Sequence, residues 1–269
     1  MKHPLVSIIV TTKNEASHIA GCLESIRKQM FKNTETIVVD NHSVDNTREI
    51  AGKFTRHVYD AGPERSAQRN FGAARAKGEY LLFLDADMQL TPDVVKECVE
   101  VCKKNKIAAV VPEKSFGIGF WAKCKALERA CYEGVDWIES ARFFRKDAFL
   151  YVGGYDETLT GPEDFELPQR IKTLYGVQSV GRIRAYILHD EGHLCLSKLL
   201  RKKYYYGKKM RRYRNLSESK PFFAKQANIF RRYALFFRHP QMFIADPLHM
   251  FGVLIMKTLE MAVIGLGGL

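Results

Sequence analysis

The hydrophobic positions of this 269-residue chain change period along its length, and the changes mark its elements. Leu5-Val6-Ser7-Ile8-Ile9-Val10-Thr11 reads as a strand. A helical period follows through Ile19, Leu23 and Ile26, with Asn14 as its expected cap. Glu35-Thr36-Ile37-Val38-Val39 reads as a second strand ending at Asp40, and Asp45 is placed to cap a short helix from Asn46 to about Phe54. Ala67, Phe71 and Ala74 share one face of a helix running roughly from Arg65 to Lys77. Tyr80-Leu81-Leu82-Phe83-Leu84 is the next strand, and Asp85-Ala86-Asp87 follows it. Thr91-Pro92-Asp93 supplies a capping hydroxyl, a proline for the first helical position and an acid for the first turn. Ile107 to Val111 is strand-like again. Strand and helix thus alternate over the first ~110 residues, which predicts a doubly wound, mostly parallel α/β sheet with flanking helices.

In such a sheet the carboxyl ends of the strands share one edge, where ligands bind. Three ends would meet there: Thr11 to Glu15, Asp40 to Ser43, and Asp85 to Asp87. Two acids one residue apart need a cation or donor groups to compensate them. Hard oxygen ligands suit Mg²⁺ or Mn²⁺, which commonly bridge phosphates. Taken alone, Asp85-Ala86-Asp87 is also an ordinary turn after a strand. Asp40 can accept from a base N–H or ribose hydroxyls. Arg65, Arg69 and Asn70 could meet diphosphate charge, the arginines by forked donor geometry. Singly, Asp40 is equally a turn residue and the arginines a solvated helix face. As a set they describe a nucleoside-diphosphate pocket.

The second half offers Gly161-Pro162-Glu163-Asp164-Phe165-Glu166-Leu167. Pro162 fits the first position of a helix, which puts Glu163 and Asp164 at the positive end of its dipole. Plain first-turn capping acids are the alternative. His189 and His193 share helical spacing, but the His-Glu-x-x-His pattern of a zinc protease is absent.

These motifs, in this order and spacing, resemble those of family 2 glycosyltransferases with the GT-A type fold. The resemblance rests on Val6 to Glu15, Ile37 to Thr47, Arg69-Asn70-Phe71-Gly72 and Asp85-Ala86-Asp87, and it spans about residues 5 to 190. The family most often has a second Asp and a Gly after the Asp40 position, where this chain has Asn41 and His42. The resemblance implies a nucleotide-sugar site made of Thr11, Lys13, Asn14, Glu15, Asp40, Ser43, Arg65, Arg69, Asn70, Asp85 and Ala86. Within it, Thr11 and Glu15 border the nucleotide, Asp40 holds the base (usually uracil), and Asp85 contacts the ribose or sugar. Asp87 would bind a Mn²⁺ or Mg²⁺ ion that bridges the diphosphate, and His189 could complete its shell; imidazole suits Mn²⁺ better than Mg²⁺. A loop histidine touching phosphate, or nothing, is the other reading of His189. Arg142-Phe143-Phe144-Arg145 and Val152 to Glu157 resemble the family's middle region. Asp164 is then the implied base that takes the acceptor hydroxyl proton, with Glu163 positioning beside it. A base opposite the leaving group implies direct displacement, hence inversion. A cation at the diphosphate stabilises the charge that grows as the sugar bond breaks.

Composition adds compartment and partner. The chain is 46% hydrophobic and 27% charged, a globular balance. Its six cysteines lack paired spacing, so neither a zinc ribbon nor a disulfide framework is expected, and a reducing cytoplasm suits them. The start runs directly into the first strand, with no signal peptide expected. The net charge of +12 is concentrated: residues 192–239 hold 14 Lys and Arg against Glu218 alone, leaving 28 basic and 29 acidic residues elsewhere. A basic block of this kind seeks a polyanion, either a nucleic acid or an anionic membrane. Nucleic acid is not expected, because Asp85, Asp87, Glu163 and Asp164 would repel phosphates without a metal. A nucleotidyltransferase would show a glycine-rich loop after the first strand, and Thr11 to Ala20 contains no glycine.

Leu196, Leu199, Leu200 and Tyr204 fall on one helical face, with Lys198, Arg201, Lys202, Lys208 and Lys209 on others. Arg231, Arg232 and Arg238 lie among Phe230, Tyr233, Phe236 and Phe237. Basic and aromatic residues on an amphipathic helix mark an interfacial membrane element. The tail from Phe243 is interrupted by Pro247, Lys257 and Glu260. Met250 to Met256 and Met261 to Leu269 each fall short of the roughly 20 residues of a span. Lys257 and Glu260 can pair on one face. A monotopic or re-entrant hairpin is expected, with a buried packing helix or an oligomer contact as alternatives. The expected organisation is a nucleotide-sugar half (1–112), an acceptor and base half of the same domain (113–191), and a helical, membrane-associated extension (192–269). The expected activity is metal-dependent, inverting transfer from a nucleoside-diphosphate sugar, UDP-sugar favoured. Its acceptor would be a hydroxyl of a lipid-linked or membrane-bound glycan at the cytoplasmic face of the membrane. A polyprenyl phosphate is the alternative acceptor; already ionised, it would need less help from a base.

Overall fold

The computed structural model describes residues 4–216 and 220–267. Met1 to His3, and residues 217–219 and 268–269 of the expected extension, lie outside the described residues. The strands are β1 (Val6–Thr12), β2 (Thr34–Asp40), β3 (Val58–Asp60), β4 (Tyr80–Asp85), β5 (Met88–Leu90), β6 (Ala108–Val110), β7 (Glu113–Ile118), β8 (Ala141–Arg145), β9 (Val180–Arg182) and β10 (Ile187–His193). Seven form the main sheet in the order β3-β2-β1-β4-β8-β6-β9, and β5-β10-β7 form a small second sheet. In the main sheet β8 alone runs against its neighbours β4 and β6. The sheet is therefore mostly parallel, as the apolar runs predict.

Alternation along the strands divides the core. Ile8, Val10, Leu82 and Leu84 face α1 (Ile19–Arg27) and, further along the chain, Val94, Val95 and Cys98. Ile9, Val39, Leu81 and Phe83 face the other way, toward Ala73, Leu167 and Ile171. The first layer includes α2 (Thr47–Gly52), the second α3 (Arg65–Arg75). α4 (Val94–Cys102) returns to the first layer, and its Cys98 and Cys102 are core residues as expected. Helices α5 (Phe120–Ala130), α6 (Lys146–Tyr151) and α7 (Glu163–Tyr175) follow. The extension comprises α8 (Leu196–Asn215), α9 (Lys220–Ala227), α10 (Ile229–Phe237), α11 (Pro240–Ala245) and α12 (Pro247–Gly267).

Several local expectations need correction. Asn14 does not cap α1; its Oδ1 accepts from the Val44 N–H at 2.9 Å, and the helix begins only at Ile19. The Thr91 hydroxyl donates to the Tyr186 carbonyl at 2.9 Å instead of capping α4. In both cases a partner distant in sequence wins over the local cap. Pro162 is the residue preceding α7, not its first. The apolar face of α8 is not free either: Leu196 and Leu199 pack into a third core with Cys124, Phe236 and Met256.

The tail differs most. Lys257 and Glu260 do not break it, and α12 is one continuous 21-residue helix, long and apolar enough to cross a membrane. The two charges turn inward. Lys257 pairs with Glu128 and, at 2.5 Å, with Glu260; Lys125 reaches Glu128 at 2.6 Å and Glu260 at 3.3 Å; Lys203 lies 3.8 Å from Glu260. Burial opposes ionisation of Glu260, but Lys125, Lys203 and Lys257 outweigh it and hold its pKa down at about 2. Removing one member of a buried charge cluster leaves the rest uncompensated. Glu260→Gln would leave three lysines around Glu128 alone and is expected to cost about 3–5 kcal/mol. Lys257→Met, which brings the cluster to neutrality, is expected to cost less, and Lys257→Met with Glu260→Leu should recover much of the loss. Urea unfolding of the three variants checks the order. A depressed carboxyl pKa stabilises above the unfolded value and loses that contribution as pH falls through the folded one. This part of the stability should therefore fade between about pH 4.5 and about pH 2.

Candidate active site

The chain runs outward from β1 through β2 to β3 and then crosses back to β4 on the other side of β1, so the strand order reverses between β1 and β4 and opens a crevice at their carboxyl ends. Register places Thr12 beside Asp40 and Thr11 beside Asp85. The Thr11 hydroxyl donates to Asp85 Oδ1 at 2.9 Å, and Ala86 N–H donates to the Thr11 carbonyl at 3.1 Å. Asp40 is fully buried, and both its oxygens accept from Ser43, from the backbone N–H at 2.7 Å and the hydroxyl at 2.5 Å. Ser43 Oγ in turn accepts from Asn14 N–H at 2.7 Å. Asn14 and His42 both take left-handed backbone, φ 54° and 52°. His42 thus occupies a conformation that favours glycine, at a position where the resembled family most often has one. The Glu15 side chain meets His18 at 2.7 Å, and burial raises its pKa against that contact. Lys13 is exposed beside this cluster. The strand ends Thr11–Glu15, Asp40–Ser43 and Asp85–Asp87 are thus brought together.

The arginines do something the sequence did not suggest. Arg69 is fully buried, donating to Asp164 Oδ1 at 2.6 Å and to Asp85 Oδ1 at 3.0 Å. Arg65 lies 3.6 Å from Asp85 and 3.2 Å from Glu163, and donates to the Tyr206 hydroxyl of α8 at 3.2 Å. Both are engaged with carboxylates rather than held out for phosphate. Asn70 is turned away, bonded to the Tyr155 carbonyl and to Glu157, each at 2.9 Å. Burial opposes the charge on Asp85, but Arg69, Arg65 and Arg142 outweigh it and hold its carboxyl well below the usual range. For Glu163 burial and neighbouring Asp164 prevail over Arg65 and Arg69, and the pKa rises. Both Glu163 oxygens are buried without a hydrogen-bond partner.

Asp87 faces the second sheet. Its Oδ2 lies 3.3 Å from His189 Nε2, while its Oδ1 is buried and has no hydrogen-bond partner. The far side of the His189 ring meets Glu113 at 3.5 Å. Burial opposes a charged ring, but Asp87 and Glu113 outweigh it and lift the pKa to about 9. The acids here call for positive charge. An orphaned carboxylate oxygen beside an imidazole fits a divalent ion. Among the described residues no group of three or more His, Cys, Asp or Glu side chains could hold a metal by itself.

Four participants were not assigned to the site from the sequence. Arg142 donates to Glu113 at 2.6 Å and lies 4.0 Å from Asp164. Glu113 also pairs with Arg129, tying α5 to the site. A charged pair flanking buried aromatic residues (Arg142 and Arg145 around Phe143-Phe144) was the available signal. Tyr206 was visible only as part of a basic, aromatic helix.

The family described as Glycosyl transferase family 2 matches residues 7–158. The chain is 32% identical over 103 residues to the putative glycosyltransferase EpsH of Bacillus subtilis (strain 168), covering 36% of this chain and 30% of that protein. It is 29% identical over 187 residues to the succinoglycan biosynthesis protein ExoA of Rhizobium meliloti (strain 1021), covering 61% and 57%. The chain thus aligns with less than two thirds of the length of these relatives. Among solved structures, the mannosyltransferase PcManGT of Pyrobaculum calidifontis, in complex with GDP-Man and Mn²⁺, superposes with a TM-score of 0.63 at 16% identity, over 99% of this chain and 87% of that one. That likeness is one of fold, and the fold is of the GT-A type.

Proposed function

We propose that this chain, which belongs to glycosyl transferase family 2, moves a sugar from a nucleoside-diphosphate donor to a hydroxyl of a lipid-linked or membrane-bound glycan, with inversion. The observation that carries the reading is the Arg69 bridge. One buried guanidinium ties Asp85, at the donor strand end, to Asp164, at the start of α7. Donor-side and acceptor-side carboxylates are thereby held to opposite ends of one rigid fork, as a displacement with separate donor and base sites requires.

In this reading the loop ordered by Asp40 and Ser43 receives the base, UDP-sugar being the favoured donor, and Asp85 receives the ribose or sugar. Asp164 takes the acceptor proton through Oδ2, the oxygen Arg69 leaves available, and buried Glu163 positions an acceptor hydroxyl or Arg65. Asp87 with His189 would hold a Mn²⁺ or Mg²⁺ ion, whose charge offsets the charge of the departing diphosphate. The named role of ExoA in succinoglycan biosynthesis supports a glycan acceptor. The extension over residues 196–269 supports a membrane location, read as the cytoplasmic face.

The test is a panel of nucleotide sugars incubated with lipid-extracted acceptors and Mn²⁺, with the anomeric configuration of the product read by NMR. Inversion is expected; retention of configuration would overturn the placement of Asp164.

A further inference from the structure

α12 has two faces of opposite character. Leu248, Phe251, Ile255, Leu259 and Leu266 recur at steps of three, four and seven along one side, and Ile244 of α11 continues the line. All are exposed, from 37% for Leu259 to 83% for Ile244. Phe237 of α10, itself exposed, stacks on Phe243, which meets Phe251 edge-on, so the apolar surface runs across three helices.

The opposite face of α12 is joined to the catalytic unit along its whole length. Gly252 lies so close to α5 that a Cβ there would sit 2.5 Å from Cys124 Sγ. Lys257 and Glu260 enter the ion cluster with Lys125, Glu128 and Lys203. At the far end Gly267 crosses Gly207 of α8, where a Cβ would meet the Tyr204 carbonyl at 2.5 Å. A helix held at both ends and its middle against a charged catalytic unit cannot also cross a bilayer.

We propose that α12 lies in the plane of the membrane, its exposed stripe immersed in the interfacial region of an anionic bilayer and its charged face held by α5 and α8. This deepens the membrane-associated reading above and rests on it. Lipid is the occupant that the charges favour. Arg231 and Arg238 are exposed directly after Phe230 and Phe237, within a segment of 14 basic residues and one acid. Each basic residue near an anionic surface adds on the order of 1 kcal/mol, and the apolar stripe adds area burial. At 1.5 Å per residue the helix lays an apolar edge about 30 Å long on the surface. The geometry also has a functional consequence. α8 touches α12 at Gly207 and reaches Arg65 with the adjacent Tyr206, so one helix joins the docked end to the active site. An acceptor held in the bilayer surface would meet it there.

Vesicle flotation tests the face. The full chain should float with vesicles containing phosphatidylglycerol, and Phe251→Asp with Ile255→Asp should bind at least tenfold more weakly, with unchanged circular dichroism and unchanged donor binding in solution. Depth tests the orientation. Leu248→Trp, Ile255→Trp and Leu266→Trp should be quenched equally by shallow brominated lipids. Ile255→Trp quenched most by lipids brominated near the bilayer centre would mean a span and overturn the proposal. So would absence of flotation, or a soluble dimer that the aspartates dissociate. Donor binding that fails in the unsubstituted chain would count against the transferase reading instead.

Discussion

Asp164→Asn is expected to lower transfer about 10³-fold, inside the 10²–10⁴ range of a general base, while donor affinity stays within a factor of a few. The carboxylate sits in the first turn of α7, bonded on one oxygen by Arg69 at 2.6 Å, with its other oxygen 4.0 Å from Arg142. Asparagine keeps the size and can still accept from Arg69, so the local structure should hold. What it removes is the capacity to take a proton. Initial rates together with donor titration separate the two effects. Equal loss of binding and rate would mean that Asp164 shapes the donor site rather than serving the acceptor.

Arg69→Met should be the most damaging substitution to the fold and the site together. Arg69 has no exposed surface, and its removal strands Asp85 and Asp164 and takes a counter-charge from Glu163, 3.8 Å away. Leaving buried charge uncompensated costs about 3–5 kcal/mol, which corresponds to a melting temperature lower by about 10 °C. Arg69→Lys is the sharper probe. An ammonium keeps the charge but cannot fork between two carboxylates. It is expected to restore much of the stability and little of kcat, with donor KM nearly unchanged. A lysine variant of full activity would show that Arg69 supplies charge alone.

The two acid-bearing strand ends were legible in the sequence for a physical reason. A buried parallel strand announces itself by composition, and its terminal acids stand out against that background. Asp85 and Asp87 after Leu81–Leu84 are the clearest case. Glu163 and Asp164 were legible through the proline before them. The link between the two groups was not. Arg69 contacts Asp164 across 95 positions, and nothing local distinguishes a buried bridging arginine from a solvated one. The same limit hid Glu113 and Arg142, which meet only because β7 and β8 belong to different sheets that converge at the site. In the tail, Lys257 and Glu260 read as interruptions because their partners, Lys125, Glu128 and Lys203, lie in α5 and α8. Asn14 read as a cap because its true partner, Val44, is 30 positions away.

The central claim is that Asp87, beside His189, marks the diphosphate end of a donor site whose ribose or sugar end is Asp85, and that donor binding there needs a divalent ion. Calorimetric titration of UDP, GDP and dTDP in Mn²⁺ and in EDTA, on the unsubstituted chain and on Asp87→Asn, tests it most directly. One nucleotide should bind in Mn²⁺ and weaken at least tenfold both in EDTA and in Asp87→Asn. Binding of equal strength under all conditions would contradict the account.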